Sequence, residues 1–291
     1  MLPAFPSLPP DPALPMPEFL AALLLGIIEG ITEFLPISST GHLLIAERWL
    51  GQRSDLFNIA IQAGAILAVV LIYRQRLWQL LLGMHPWRRR TDIAAAHHAH
   101  DYALKLALAF GVTAAGGLLV KALGWKLPES VTPVAWALVL GGVWMLAAEH
   151  FAERHAARVG EHSRIGWTVA VLVGVAQVVA GVFPGTSRSA AAIFVALLFG
   201  TTHRAAATEF AFLVGIPTMF AATGYEWFDL YRKDALAGED WGLLAVAFVA
   251  SAVTAFVAVK WLLRYIQSHR FTVFAVYRML LGAALLVWVP V

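Results

Sequence analysis

The chain has 291 residues, of which 60% are hydrophobic and only 13% are Lys, Arg, Asp or Glu. Soluble globular domains carry about 25% charged residues, so this composition excludes an ordinary soluble domain and a disordered chain. The net charge of +3 is small and its arginines lie between apolar runs, which argues against a nucleic-acid binder, and the absence of cysteine excludes disulfides, Cys-ligated zinc and thiol catalysis.

A proline-rich segment opens the chain. Residues 1–17 hold seven of the fourteen prolines and no Lys or Arg. A secretory signal peptide needs a basic region before its apolar core, and this segment has none. Its prolines predict an extended, polyproline-like lead-in.

Ten apolar runs follow. They lie near residues 18–35, 40–50, 57–73, 103–123, 133–151, 166–183, 189–200, 205–222, 241–263 and 272–290. A spanning helix needs about 20 apolar residues, and six of the runs are predicted to cross a membrane. The other four form two pairs, each broken by a proline and a cluster of hydroxyl residues. Such irregular backbone is tolerated at membrane depth only where it faces protein or water, so each pair predicts a re-entrant hairpin.

The predicted fold is therefore an all-α integral membrane protein with about six transmembrane helices and two re-entrant helical hairpins, about ten helices in all. An internal repeat is also predicted. With an offset of 148 residues, Glu29 matches Gln177 and Ser39 matches Ser187. Further matched pairs are Gly26 with Gly174 and Pro36 with Pro184 at the same offset, and Gly142 with Gly282 at an offset of 140.

Each half holds one hairpin, at 18–50 or 166–200, and three spans. Because three is odd, the second half must be inverted relative to the first, as in transporters whose binding site lies where the repeats meet. The predicted units are a first repeat at 18–151, a cytoplasmic linker at 152–165 and a second, inverted repeat at 166–291.

Positive charge predicts the orientation, because Lys and Arg mark cytoplasmic loops. The loops 74–102, 152–165 and 264–271 carry arginines and are predicted to be cytoplasmic. The N-terminus and the loop 223–240 are predicted to lie on the opposite side. That loop contains five acidic and two basic residues. Both termini are predicted to lie outside, with the first hairpin entering from the outside and the second from the cytoplasm.

Two carboxylates stand in the first hairpin. Ionisable groups inside apolar segments mark functional sites. Glu29 and Glu33 are four residues apart and share a helix face. Carboxylates so placed repel each other unless one is protonated or a cation lies between them, and a hard divalent cation meets that need. The alternative is a hydrogen-bonded packing pair.

Hydroxyl residues and a histidine follow Pro36, which is expected to end this helix. Ser38, Ser39 and Thr40 are expected to cap the next helix, whose free N–H groups favour an anion. His42 then lies in its first turn, where it could be a nucleophile, a general acid or base, or a structural hydrogen-bonding residue.

The second hairpin carries the motif Pro184-Gly185-Thr186-Ser187-Arg188-Ser189. Gly185 allows a tight turn, and the hydroxyl and N–H groups before the next helix predict an anion-binding nest. The guanidinium of Arg188 offers the planar donor fork that fits phosphate. The alternative is an ion pair between Arg188 and a carboxylate of the first hairpin.

A looser group consists of Gln62, Glu209, Tyr277 and Arg278 in the spans. Glu209 and Arg278 could simply pair with each other to neutralise buried charge. Three histidines, by contrast, are interpreted as part of a solvated loop and not as a metal cluster. They are His97, His98 and His100, with Asp92 and Asp101 nearby.

The Glu29-x3-Glu33 pair followed by residues 36–42, together with the 184–189 motif, resembles the bacterial undecaprenyl-pyrophosphate phosphatase family of the bacitracin-resistance type. The resemblance runs from about residue 18 to the end. One position departs from it, because Ala192 stands where the family commonly has threonine. A hydroxyl contact at that position is therefore lost or supplied elsewhere.

What the resemblance implies is hydrolysis of the C55 polyprenyl pyrophosphate to the monophosphate and inorganic phosphate, which recycles the lipid carrier for cell-wall synthesis and confers bacitracin resistance. It implies a multi-pass protein of the bacterial plasma membrane, an active site toward the periplasm and a homodimer. Catalytic roles carry over to Glu29, Glu33, Ser39, His42 and Arg188. The same two glutamates would hold a divalent cation, Mg²⁺ or alternatively Ca²⁺. The residues predicted to bind substrate are Ser38, Thr40, Gln62, Gly185, Thr186, Ser187 and Ser189.

Three alternatives stay open at this level. The phosphoryl group passes to His42, to Ser39 or directly to water. A polyprenyl-phosphate transporter or flippase would use the same anion site, and a general lipid phosphatase would differ only in substrate range. The small-residue face at 111–117 would permit the close packing of a dimer.

Overall fold

Ten α-helices make up the computed structural model over the residues it describes, which are 16–84, 93–125, 130–233, 236 and 238–288, and no β-strand occurs there. The helices are α1 (Glu18–Thr32), α2 (Ser39–Leu50), α3 (Asp55–Met84), α4 (Ile93–Ala122), α5 (Val131–Val159), α6 (Trp167–Val182), α7 (Arg188–Phe199), α8 (Arg204–Arg232), α9 (Trp241–Tyr265) and α10 (Thr272–Trp288). Most of the proline-rich lead-in lies outside the described residues, as do Arg88, Arg89, Arg90 and Asp92.

Each helix coincides with one predicted apolar run, which confirms the all-α membrane fold. Five helices are long and apolar enough to cross a membrane, namely α3, α4, α5, α8 and α9. The apolar helix α10 has 17 residues, which corresponds to about 26 Å at the usual rise of about 1.5 Å per residue. With it, the helices match the six predicted spans and two hairpins.

Several helices run beyond their apolar runs. α3 continues to Met84 and α5 to Val159, so Arg76 and Arg154 lie in helices and not in the predicted loops. The predicted loop around the three histidines is also wrong, because residues 97–100 belong to α4. Apolarity measures contact with lipid, whereas Ala, Arg and Glu keep a chain helical after that contact has ended.

The two hairpins are built alike. α1 and α6 have 15 and 16 residues, and α2 and α7 have 12 each, too short to cross a hydrocarbon layer about 30 Å thick. Ser38 and Ser187 precede α2 and α7 with φ of 73° and 69°, and among the described residues they alone combine a side chain with a positive φ. Their offset is 149, so the pairing of Ser39 with Ser187 is wrong by one residue.

Strain at equivalent turns of both hairpins is characteristic of functional sites, where the surroundings force the backbone into a rare conformation. Here the positive φ lets the chain reverse between the two helices of each hairpin. The sharp reversal replaces a regular helical continuation and brings the helix ends together.

Helix pairing relates the two halves. α1 packs on α9 as α6 packs on α4, and α5 packs on α10. The matched glycines lie at these contacts: a Cβ on Gly26 would collide with the carbonyl of Ala247, and one on Gly174 would come within 2.6 Å of the carbonyl of Ala109. Such close backbone approach requires glycine. The pairing supports the division into repeats at 18–151 and 166–291 joined by 152–165, which stays a prediction.

Candidate active site

The acidic pair lies at the C-terminal end of α1. Glu29 and Glu33 are buried, with 2% and 8% of their surfaces exposed. The N–H of Glu33 donates to the carbonyl of Glu29 at 2.9 Å, so the helical turn continues through both and they share a face as predicted. Pro36 lies within the turns at 33–37, and α1 already ends at Thr32, before the proline that was expected to end it.

Glu33 joins the two hairpins. One of its carboxylate oxygens accepts a hydrogen bond from Ser39 Oγ. The other lies 3.6 Å from Nη2 of Arg188. The acidic motif and the 184–189 motif, which are far apart in sequence, are therefore brought together, and the ion pair that is the alternative for Arg188 is present. About a third of the Arg188 side chain stays exposed, so the same guanidinium can also reach a ligand.

The second turn is tied to the first through its serines. Ser187 caps α7 by accepting the N–H of Ala190 at 3.3 Å. Its hydroxyl also lies 3.1 Å from that of Ser189, which donates to the carbonyl of Leu35 at 3.2 Å. This last bond crosses from one hairpin to the other. Thr40 lies in the first turn of α2, and Ala192 is buried in α7.

His42 is held at both ring nitrogens. Nδ1 lies 2.7 Å from the carbonyl of Ser38, and Nε2 lies 2.7 Å from the hydroxyl of Tyr277, whose ring stacks on the imidazole. A carbonyl can only accept, so Nδ1 carries the proton, and in the neutral ring Nε2 accepts from Tyr277. Tyr277 belongs to the looser group of residues in the spans, because nothing in the sequence links it to His42.

Arg278 does not pair with Glu209, which corrects that expectation. Its guanidinium is fully buried and donates to backbone carbonyls of both turns. Nη2 lies 2.9 Å from the carbonyls of Gly185 and Thr186, and Nη1 lies 3.5 Å from that of Pro36. Five donors on one planar group can serve several carbonyls at once, which is why an arginine fits between the turns.

Glu209 instead pairs with Arg76 of α3 at 3.0 Å. Gln62 accepts a hydrogen bond from Thr223 at 3.3 Å, which places it between α3 and α8. Its role in binding substrate stays a prediction.

A small pocket lies beside Glu33 and Arg188. Residues of α6, α7 and α8 complete its wall, including Gln177, Ser189 and Phe212. In the predicted repeat Gln177 matches Glu29, and this match is the sequence signal that could have placed it in the site. The pocket wall thus combines the Arg188 guanidinium and the Ser189 hydroxyl with the Glu33 carboxylate, groups that can bind a phosphate or a metal.

The donor chemistry fits a hard divalent cation. Oε2 of Glu29 is buried without a hydrogen-bond partner in the described part of the chain. A buried carboxylate oxygen needs a proton or a cation, and Mg²⁺ and Ca²⁺ prefer oxygen ligands. Within the described ranges no cluster of three or more His, Cys, Asp or Glu side chains exists. Any metal here would therefore use the two glutamates together with neutral oxygens.

The fold and the site define an integral membrane protein whose paired hairpins bring a buried carboxylate and an arginine together. The chain belongs to the bacitracin resistance protein BacA family, whose model matches residues 22–284. An undecaprenyl-diphosphatase of Rhizobium etli is 62% identical over 269 residues, 92% of this chain and 96% of that protein. An undecaprenyl-diphosphatase of Xanthomonas axonopodis pv. citri is 60% identical over 275 residues, 94% of this chain and 98% of that protein.

Proposed function

We propose that the chain is a membrane phosphatase that hydrolyses undecaprenyl pyrophosphate to undecaprenyl phosphate and inorganic phosphate. The observation that carries this is Glu33, which contacts Ser39 of its own hairpin and Arg188 of the other. The undecaprenyl-diphosphatases at about 60% identity support the same activity. Hydrolysis recycles the lipid carrier for cell-wall synthesis and underlies bacitracin resistance.

In this reaction the bond between the terminal phosphorus and the bridging oxygen breaks. The bridging oxygen stays on the lipid monophosphate, and an oxygen from water ends on the released phosphate. Arg188 donates to the non-bridging oxygens, where negative charge is concentrated, and Ser187 and Ser189 orient them. Arg278 holds the carbonyls of both turns, so these donors start from fixed positions.

A divalent cation, Mg²⁺ or alternatively Ca²⁺, is proposed to bind Glu29 and Glu33. When bound it neutralises charge on the phosphoryl oxygens. The buried, unpartnered Oε2 of Glu29 supports this assignment.

Of the three routes for the phosphoryl group, the geometry favours Ser39 as nucleophile. Its hydroxyl donates to Glu33, and a carboxylate in that position can take the proton as the oxygen attacks. The resulting phosphoserine is then hydrolysed by water. His42 is the alternative nucleophile, but its Nε2 faces Tyr277 and that hydrogen bond would have to break first. Direct attack by water is the third route.

A phosphate-release assay on detergent-solubilised protein tests the function. We expect release from polyprenyl pyrophosphate, loss of release with EDTA, restoration with Mg²⁺, and a strong loss in Glu33→Gln because the carboxylate contacts both hairpins. Glu161→Gln, at an exposed position, is the matched control. A protein that binds the lipid and moves it between vesicle leaflets without releasing phosphate would instead be the polyprenyl-phosphate flippase, which the paired broken helices also suit.

The protein is further proposed to lie in the bacterial plasma membrane with its site toward the periplasm and both termini outside, and to form a homodimer through the open glycines Gly111 and Gly117 of α4. Exposed tryptophans support the proposed orientation, because they would lie at the same membrane–water interface. They are Trp49 and Trp125 at the ends of α2 and α4, and Trp241 at the start of α9.

Single cysteines test this orientation cleanly, because the chain has none of its own. In intact spheroplasts, Arg232→Cys should react with a membrane-impermeant maleimide, and Glu161→Cys should react only after the membrane is opened. Both side chains are exposed. The reverse pattern would contradict the proposed orientation.

A further inference from the structure

Gln177 is a buried polar side chain for which the proposed reaction has no role. It lies in α6, is 3% exposed, and its Oε1 is buried without a hydrogen-bond partner in the ranges that the structure describes. The helix around it is almost entirely apolar. An unpaired amide oxygen in such surroundings is costly, so a partner that is not part of the protein is to be expected.

Its surroundings indicate what that partner is. Gln177 lines the same pocket as Glu33 and Arg188. The other buried, unpartnered oxygen of the site belongs to Glu29, which Gln177 matches in the repeat. The two hairpins thus bring one unsatisfied oxygen each to the site, one from a carboxylate and one from an amide. Carboxylate and amide oxygens are ligands of hard divalent cations.

We infer that Oε1 of Gln177 is a third protein ligand for the divalent cation proposed at Glu29 and Glu33. This inference rests on the metal of the proposed function. The cation would then link the two predicted repeats. Glu29 and Glu33 lie at the C-terminal end of α1, and Gln177 lies in α6.

Charge explains why this ligand is an amide. Two carboxylates, one guanidinium and a dication sum to +1, which attracts a pyrophosphate. A glutamate in place of Gln177 would bring the net charge of these groups to zero and would place a negative charge beside the phosphoryl oxygens. An amide supplies the coordinating oxygen without that repulsion.

Binding of Mn²⁺ to the detergent-purified full chain, measured by electron paramagnetic resonance without lipid, tests the inference apart from turnover. Gln177→Met, similar in size, should weaken Mn²⁺ binding about tenfold or more, the scale seen when support of a metal is lost. Gln177→Glu should tighten it while raising KM for the lipid. Gln79→Met, at an exposed glutamine of α3, is the control and should bind as the unaltered protein does.

The results of these binding measurements decide whether Gln177 is a metal ligand. Unchanged Mn²⁺ affinity in both Gln177 variants overturns the inference. So does a Gln177→Met variant with normal Mn²⁺ affinity and only a raised KM, since the amide would then serve the phosphate through its NH₂ group. If Gln177→Met does not fold, the isosteric Gln177→Glu decides alone. An unaltered protein that releases phosphate but binds no Mn²⁺ overturns the metal ligand and leaves the phosphatase function standing.

Discussion

Replacing Arg188 with alanine should lower kcat by roughly 10³-fold or more, the scale associated with an arginine that stabilises phosphoryl transfer. Arg188 contacts Glu33 and lines the pocket, so its loss removes both the cation that meets the phosphoryl oxygens and the ion pair between the hairpins. Arg188→Lys should recover only part of the activity, because an ammonium keeps the charge but not the planar fork.

The measurement is phosphate release from polyprenyl pyrophosphate at saturating substrate, with thermal melting as a check of folding. Arg154→Ala, at an exposed arginine of α5, is the matched control and should keep its activity. Normal turnover in a folded Arg188→Ala protein would remove this arginine from the reaction and, with it, the proposed arrangement of the site.

Replacing Arg278 with methionine should have the largest effect on stability. Its guanidinium is fully buried and serves the carbonyls of Gly185 and Thr186 at 2.9 Å and that of Ala137 at 3.3 Å. Methionine would remove this donor from the carbonyls of Gly185 and Thr186, which lie in the turn before α7, and each buried group left unsatisfied costs about 1–3 kcal/mol. We expect a loss of about 3 kcal/mol or more, with turnover falling as well because both turns lose their common support.

Thermal melting in detergent and phosphate release, measured on the same preparations, check this. Arg278→Lys should be intermediate, since one ammonium cannot reach all the carbonyls that the guanidinium serves. The matched control is Arg264→Ala, at an exposed arginine near the end of α9, which should melt as the unaltered protein does. An Arg278→Met protein with unchanged melting temperature would show that the turns are held by other contacts.

The fold was predictable because the membrane imposes a simple rule on the sequence. Ten apolar runs gave ten helices, and the prolines and serines near positions 36 and 184 marked the two breaks. The ends of the helices were harder to predict, as Arg76 and Arg154 show, because a helix that leaves the hydrocarbon layer keeps its hydrogen bonds. The apolarity of a segment indicates contact with lipid and does not show where the helix ends.

In the site, residue types were predictable and partners were not. The carboxylate and arginine motifs were recognisable, and Glu33 with Arg188 does join them. Arg278 was expected to seek a carboxylate, yet it binds backbone carbonyls, which every residue has and no sequence pattern reveals. The contact of His42 with Tyr277 joins residues far apart in the chain and depends on how α2 and α10 are placed.

The packing of α1 on α9 bears on how the protein is made. The α1 helix leaves the ribosome early, but the backbone that Gly26 packs against, at Ala247, is synthesised near the end. At about 5–20 residues per second, that wait is on the order of tens of seconds. During it, the face of α1 around Gly26 has no native neighbour. The face of α1 around Gly26 is therefore covered only late in synthesis, and the candidate site is completed only after α10, which carries Tyr277 and Arg278, has been made.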